Sequence, residues 1–278
     1  APSPGEIERP ARLLAAMRHG ALGGGKRLRP FLTVESARAL GLSGEGPLLA
    51  GCALELIHCY SLVHDDLPAM DDDDMRRGRP TVHVAFDEAS AILAGDSLLT
   101  LAFDVICDPR VSPAPARRLA APRCLPPAAG AAAMAGGQAP PLAAEAAQAE
   151  LTPEQVMRLQ AMKTGALLAF AVDQGAILAD ARPSERAALG EYGRALGACF
   201  QIADDILDAE SDAATLGKRA GKDADRNKGT LVALMGLEAA KARRDSLAAQ
   251  AQAALKSLSG RDVAMLAAAA RFAAGRRN

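Results

Sequence analysis

His64-Asp65-Asp66-Leu67-Pro68-Ala69-Met70-Asp71-Asp72-Asp73-Asp74-Met75-Arg76-Arg77-Gly78-Arg79-Pro80 places six carboxylates in ten positions and follows them with three arginines. Like charges this close disfavour the folded state unless a cation stands between them, and a divalent ion inverts that logic. The donors are hard oxygens with no His or Cys cluster, which suits Mg²⁺: it takes few carboxylates, keeps several waters and completes its shell with phosphate. The arginines then supply a fork for that phosphate. A solvated charged loop has the same composition, so the run alone leaves its chemistry open.

Its flanks decide the fold. Upstream, Leu48, Leu49, Cys52, Leu56, Cys59 and Val63 recur at helical spacing after Pro47, so a helix runs into Asp65 and breaks near Pro68. The C-terminal end of that helix carries Asp65 and Asp66, the wrong sign for its dipole. Asp65 and Asp71 lie six apart and share no helical face, so the Leu67-Pro68 break must fold the chain back for both to meet one ion. Downstream, Glu88 to Ile106 reads as a helix apolar nearly all round, which predicts a central position, with Asp96 as a structural carboxylate.

Further out the same helical style continues. Gly23-Gly24-Gly25-Lys26-Arg27-Leu28-Arg29-Pro30 joins flexible backbone to three cations before a helix from about Phe31 to Leu40; it lacks the Gly-Lys-Ser/Thr of a Walker loop. Eight of the 17 prolines fall between Pro109 and Pro141, which predicts loops with one short helix at most. Thr152-Pro153-Glu154-Gln155 starts a helix that reaches Lys163-Thr164-Gly165 and continues, bent, to Leu178. Ser184 to Ala209 is a long helix carrying Gln201, Asp204, Asp205 and Asp208; Asp204 and Asp208, four apart, stack on one face. A Lys- and Gly-rich stretch, Gly217-Lys218 to Lys228, follows, then Ala-rich helices from about Leu231. No strand alternation is visible, so the fold class is all-α, a single-domain helical bundle over 1–278 with an N-terminal helix that reads as incomplete, and the two acidic clusters on separate helices suggest metals bridging an anionic substrate across a central helical cavity.

Composition narrows the function. With 278 residues the chain can bury a large core, and a net charge of −1 offers no basic excess for nucleic acid. Its five cysteines are scattered and odd in number, as expected of free thiols in a reducing, cytoplasmic setting. No apolar run is expected to approach a membrane span of about 20 residues. His64-Asp65 could begin a metal phosphohydrolase site, but His19, His58 and His83 are not placed with a suitable downstream Asp.

Asp65-Asp66-x4-Asp71 before Arg76-Arg77-Gly78, with Phe200-Gln201-x2-Asp204-Asp205-x2-Asp208 downstream, resembles the trans-prenyl diphosphate synthases. Gly25-Lys26-Arg27-Leu28-Arg29-Pro30, Lys163-Thr164-Gly165 and Gly217-Lys218 extend the likeness over nearly the whole chain. Ser61 to Asp71 is similar to bacterial farnesyl diphosphate synthases (geranyltranstransferases) in particular.

The resemblance implies a homodimer that condenses isopentenyl diphosphate head-to-tail with dimethylallyl and geranyl diphosphate to give farnesyl diphosphate. It implies Asp65, Asp71 and Asp204 as Mg²⁺ ligands, with Arg76, Lys163, Thr164, Gln201, Lys218 and Lys228 on the allylic diphosphate. Lys26, Arg29, His58 and Arg77 are implied for isopentenyl diphosphate, and Tyr60 with Ser61 for product length. Tyr60 precedes Asp65 by about 7 Å at 1.5 Å per residue, where it could floor the cavity; a tyrosine in an apolar helix is also ordinary core.

Three departures stand against the family pattern. Thr230-Leu231-Val232 replaces Thr-Tyr-Pro, Pro122, Pro126 and Pro127 fall where the family carries helix, and Pro140-Pro141 follow Gln138. A geranyl or geranylgeranyl diphosphate synthase, or a noncatalytic subunit of a heteromeric synthase, are the rival readings.

Overall fold

The computed structural model describes residues 10–129, 165–216 and 231–276, with only the helical path given for 124–129 and 211–216. The elements in order are α1 (Ala11–Leu22), α2 (Leu28–Ala39), α3 (Glu45–Asp65), β1 (Met75–Arg76), β2 (Arg79–Pro80), α4 (Val82–Ala85), α5 (Glu88–Cys107) and α6 (Pro115–Ala129). Then come α7 (Ala166–Leu178), α8 (Pro183–Leu216), α9 (Leu231–Met235), α10 (Leu237–Leu255) and α11 (Ala264–Ala274). The all-α class holds: among the described residues the only strands are the two-residue antiparallel pair Met75–Pro80, Arg76–Arg79. Its two-residue turn, Arg77-Gly78, takes φ of 54° and 74°, a left-handed turn that a search for strand alternation could not detect.

Small side chains let the helices approach closely. α2, α3, α7 and α8 surround one apolar core that continues through α10 and α11, with Leu32, Leu54, Ile57, Leu168, Leu189 and Leu196 buried in it. A Cβ on Gly175 would stand 2.5 Å from the Thr33 carbonyl oxygen, so α2 and α7 cross backbone to backbone. This is how an Ala-rich chain with 3% aromatics fills its interior without large side chains. A second cluster, Ala16, Val63, Val82, Ala91, Ala94 and Leu98, seats α1 and α5 against α3.

Three expectations are corrected. α6 spans 15 residues, including Pro122, where loops with one short helix were expected; Pro115 opens it, at a position where a missing N–H has no helical partner to lose. α5 is not enclosed on all sides: α1, α3, α4 and α6 pack against it, yet Ile92, Leu93 and Phe103 remain 44%, 55% and 38% exposed. And α3 and α5, at 21 and 20 residues, are long and apolar enough by composition to cross a membrane, although half of the apolar window of α3 is buried within the bundle.

Candidate active site

The first acidic motif begins where α3 ends. The chain does fold back: the Asp71 N–H donates to the Asp65 carbonyl at 2.8 Å, while Met70 and Asp72 N–H groups both return to the Leu67 carbonyl. Asp72 takes a left-handed φ of 51° to close this strap. The backbones of the two residues expected to act together are thus joined, Asp65 buried and Asp71 exposed.

Asp66 is 3% exposed and accepts from Arg76 Nε at 2.7 Å, with Asp73 3.7 Å from the same guanidinium. Burial pushes the Asp66 carboxyl up against the pull of Arg76. The strap therefore carries its own counter-charge.

α5 supports this turn from outside. The His64 ring lies edge-on to Tyr60, its Nε2 lies 3.0 Å from the Ile92 carbonyl, and Asp96, exposed, stands 3.9 Å away. The imidazole occupies a slot that exists only because residue 95 is glycine: a Cβ there would fall 2.0 Å from Nε2. Tyr60 stands where the two main apolar clusters meet, whereas the Ser61 hydroxyl turns back to the His58 carbonyl on its own helix.

The glycine-rich segment enters from the other side. Gly24 and Gly25 have φ of 96° and 112°, closed to most side chains, and a Cβ on Gly25 would lie 2.6 Å from the Arg77 guanidinium. That guanidinium donates to the Gly24 carbonyl. Arg27, also left-handed at φ 48°, is clamped by Glu55 Oε1 at 2.8 Å and the Ala21 carbonyl at 2.7 Å.

The glycine-rich segment, Glu55 and His58 of α3, and Arg76 and Arg77 of the strap line one cleft of about 640 Å³, together with Leu62, Leu168, Phe200, Asp204 and Arg276. Six cations face it, Lys26, Arg27, Arg29, Arg76, Arg77 and Arg276, against the two carboxylates Glu55 and Asp204. Burial lowers the Arg29 pKa to about 10, and burial with the surrounding arginines, Arg29 foremost, drives His58 well below the usual imidazole range. His58 is accordingly neutral at pH 7 and adds a hydrogen-bonding group without further charge. The concentration of positive charge is that of a pocket awaiting a polyanion.

On α8 the second motif divides its labour. Asp204 faces the cleft and pairs with Arg276 at 2.7 Å, the guanidinium stacking 4.2 Å from the Phe200 ring. Burial raises the Asp204 pKa while Arg276 pulls it back. Asp205 is buried: it accepts from Gln201 Nε2 and from the Leu231 N–H, both at 3.0 Å. That second bond caps α9, so the departure at Leu231-Val232 still begins a helix. Asp208 is exposed.

Lys163, Thr164, Lys218 and Lys228 lie outside the described residues, as do Pro140 and Pro141. Two cleft residues escaped the sequence reading. Glu55 was legible in principle, three positions before His58 on one helix face; Arg276 carried no local signal.

Oxygen donors only, with Asp65 and Asp71 drawn together and phosphate-binding cations beside them, fit a divalent ion that finishes its shell on substrate. Among the described residues no three carboxylate, His or Cys groups form a ready-made cage, and Mg²⁺ does not need one.

A family model described as polyprenyl synthetase matches residues 10–264. The chain is 46% identical over 250 residues to a farnesyl diphosphate synthase of Escherichia coli (strain K12), covering 88% of this chain and 82% of that protein. It is 43% identical over 260 residues to a farnesyl diphosphate synthase of Geobacillus stearothermophilus, covering 92% and 85%. Among solved structures, an FPP/GFPP synthase from Zymomonas mobilis matches with a TM-score of 0.82 at 41% identity, covering 95% of this chain and 87% of that one.

Proposed function

Because the chain belongs to the polyprenyl synthetase family and is a prenyltransferase, we propose that it joins isopentenyl diphosphate head-to-tail to dimethylallyl and then geranyl diphosphate, giving farnesyl diphosphate. The observation that carries this reading is the single cleft in which the glycine-rich cations, Arg76 and Arg77 after the first acidic motif, and Asp204 of the second converge.

In this reading Asp65, Asp71 and Asp204 hold Mg²⁺, which when bound stabilises negative charge on the leaving diphosphate. Arg76 sits beside Asp66 at the allylic diphosphate, with Gln201, Lys163, Thr164, Lys218 and Lys228 as further members by likeness to the family. Lys26, Arg29, Arg77 and neutral His58 take isopentenyl diphosphate. The C1–O bond of the allylic substrate breaks, the isopentenyl double bond attacks the resulting cation, and a proton leaves to the departing pyrophosphate. No side-chain nucleophile takes part. Leu62, Leu168 and Phe200 line the cleft beside the charges and help keep water from the cation. Tyr60 floors the hydrocarbon end. The whole of 1–278 acts as one synthase domain in the cytoplasm, and as a homodimer that covers the exposed apolar side of α5.

Incubating purified protein with isopentenyl diphosphate, an allylic diphosphate and Mg²⁺, then weighing the product, tests this directly. A C15 diphosphate is expected. A C10 or C20 product points to the geranyl or geranylgeranyl alternative, and none at all to a noncatalytic subunit. Tyr60→Ala is expected to lengthen the product beyond C15; an unchanged product removes Tyr60 from length control.

A further inference from the structure

A carboxylate does not belong in a pocket built for a diphosphate unless it acts through the cations around it. Glu55 is such a carboxylate: 8% exposed on α3, it lines the cleft one helical turn before His58. Its Oε1 holds Arg27 Nη1 at 2.8 Å, while its Oε2 is buried with no hydrogen-bond partner. In the same cleft, Arg29 Nε is likewise buried with none. Arg27 itself needs an anchor, since it occupies the left-handed region at the very start of α2, a conformation that most side chains avoid. One carboxylate thus bonds Arg27 and acts through its charge on Arg29, the two arginines of Lys26-Arg27-Leu28-Arg29, leaving one oxygen and one N–H unused.

We propose that Glu55 is the positioning residue of the isopentenyl diphosphate site: it fixes Arg27 and, through its second oxygen, biases Arg29 so that the glycine-rich cations are presented to the diphosphate before it arrives. The idea rests on the substrate reading above. Its physical content is preorganisation. Cations already held in place lose less freedom on binding, and a local counter-charge offsets the mutual repulsion of Arg27, Arg29 and Arg77 while the pocket is empty of substrate. Arg27 is turned towards Glu55 and the Ala21 carbonyl, so it serves as part of the frame.

Charge alone and positioning predict opposite signs, which makes the test sharp. Glu55→Gln keeps the shape and an acceptor for Arg27 but removes the negative charge. If Glu55 acted only as a bystander charge, its loss would tighten binding of the anionic substrate. If it positions the cations, KM for isopentenyl diphosphate rises about tenfold while kcat and KM for geranyl diphosphate stay within about twofold. Glu55→Asp, which keeps the charge on a shorter arm, recovers part of the loss.

Steady-state kinetics with each substrate varied in turn, alongside thermal melting of each variant, reads all of this. An unchanged or lowered KM for isopentenyl diphosphate in Glu55→Gln overturns the proposal. So does a joint loss of kcat, both KM values and melting temperature, which marks a merely structural residue. Should the wild-type protein form no prenyl diphosphate, the substrate reading fails instead, and the two failures are told apart by the wild-type assay.

Discussion

The first acidic motif is completed by its own neighbours: Asp71 bonds back to Asp65, and Asp66 is met by Arg76 from the same strap. The second is completed from a distance. Asp205 holds the N–H of Leu231, 26 positions on, and Asp204 is met by Arg276 beyond the last helix. Both send charged groups to one cleft, Arg76 and Arg77 after the first and Asp204 from the second, yet the geometry of the first is encoded in a single run of sequence, while that of the second depends on where Arg276 and Leu231 pack. A locally closed motif keeps its shape when remote elements shift; one assembled from remote elements reports on them. The comparison can be broken at several points.

The largest effect tests whether the two motifs are equivalent in function at all. Asp65→Asn and Asp204→Asn should each lower kcat on the order of 10²–10³-fold, the usual loss when one group stabilising developing charge is removed. Product formation at fixed substrate and Mg²⁺ measures it. Full turnover in Asp204→Asn beside a dead Asp65→Asn would leave only the first motif in the chemistry.

The next probes the support that α5 gives the first motif from outside. Gly95→Ala puts a methyl 2.0 Å from His64 Nε2, so the ring must leave its slot and the contact with the Ile92 carbonyl. Such overpacking costs about 1–3 kcal/mol, or several degrees in melting temperature. A variant that melts like the wild type would show the last turn of α3 to be held by the strap alone.

Legibility in the sequence follows the same division. Asp65, Asp71 and the break at Pro68 could be read together because backbone hydrogen bonds reach only a few residues. The Asp71-to-Asp65 return is what the spacing required. The apolar periodicity that predicted α3 and α8 likewise reflects packing along a single helix. The burial of Asp205 was not legible because its partner N–H lies outside its own helix, and Arg276 was missed because nothing near it in sequence announces a cleft. α5 was placed centrally for a related reason: an apolar side pattern records that a surface avoids water, not which element covers it.

A smaller effect isolates the structural half of the second motif. Asp205→Asn weakens the cap on α9 and the bond from Gln201, both to a buried carboxylate, at a cost of about 1–2 kcal/mol. Thermal melting should register the loss, and Asp72→Asn, on an exposed residue of the first strap, should leave the melting temperature nearly unchanged. Equal destabilisation by the two would erase the distinction between a helix-capping and a solvated acid.

The smallest effect goes to the contact that most separates the motifs. Arg276 and Asp204 form an ion pair in which the guanidinium is 7% and the carboxylate 35% exposed, and the guanidinium also covers Phe200. Because the carboxylate still reaches solvent, its attraction is screened and a full buried-pair energy does not apply. A double-mutant cycle of Asp204→Asn and Arg276→Gln should give a coupling of about 0.5–1 kcal/mol in melting experiments, whereas Arg276→Gln combined with Asp65→Asn should be additive. The sign matters as much as the size. Either single change leaves the other side chain without its opposite charge, so each should destabilise more alone than its share of the double change. If the two prove additive, Arg276 does not hold the second motif, and that motif would be as self-contained as the first.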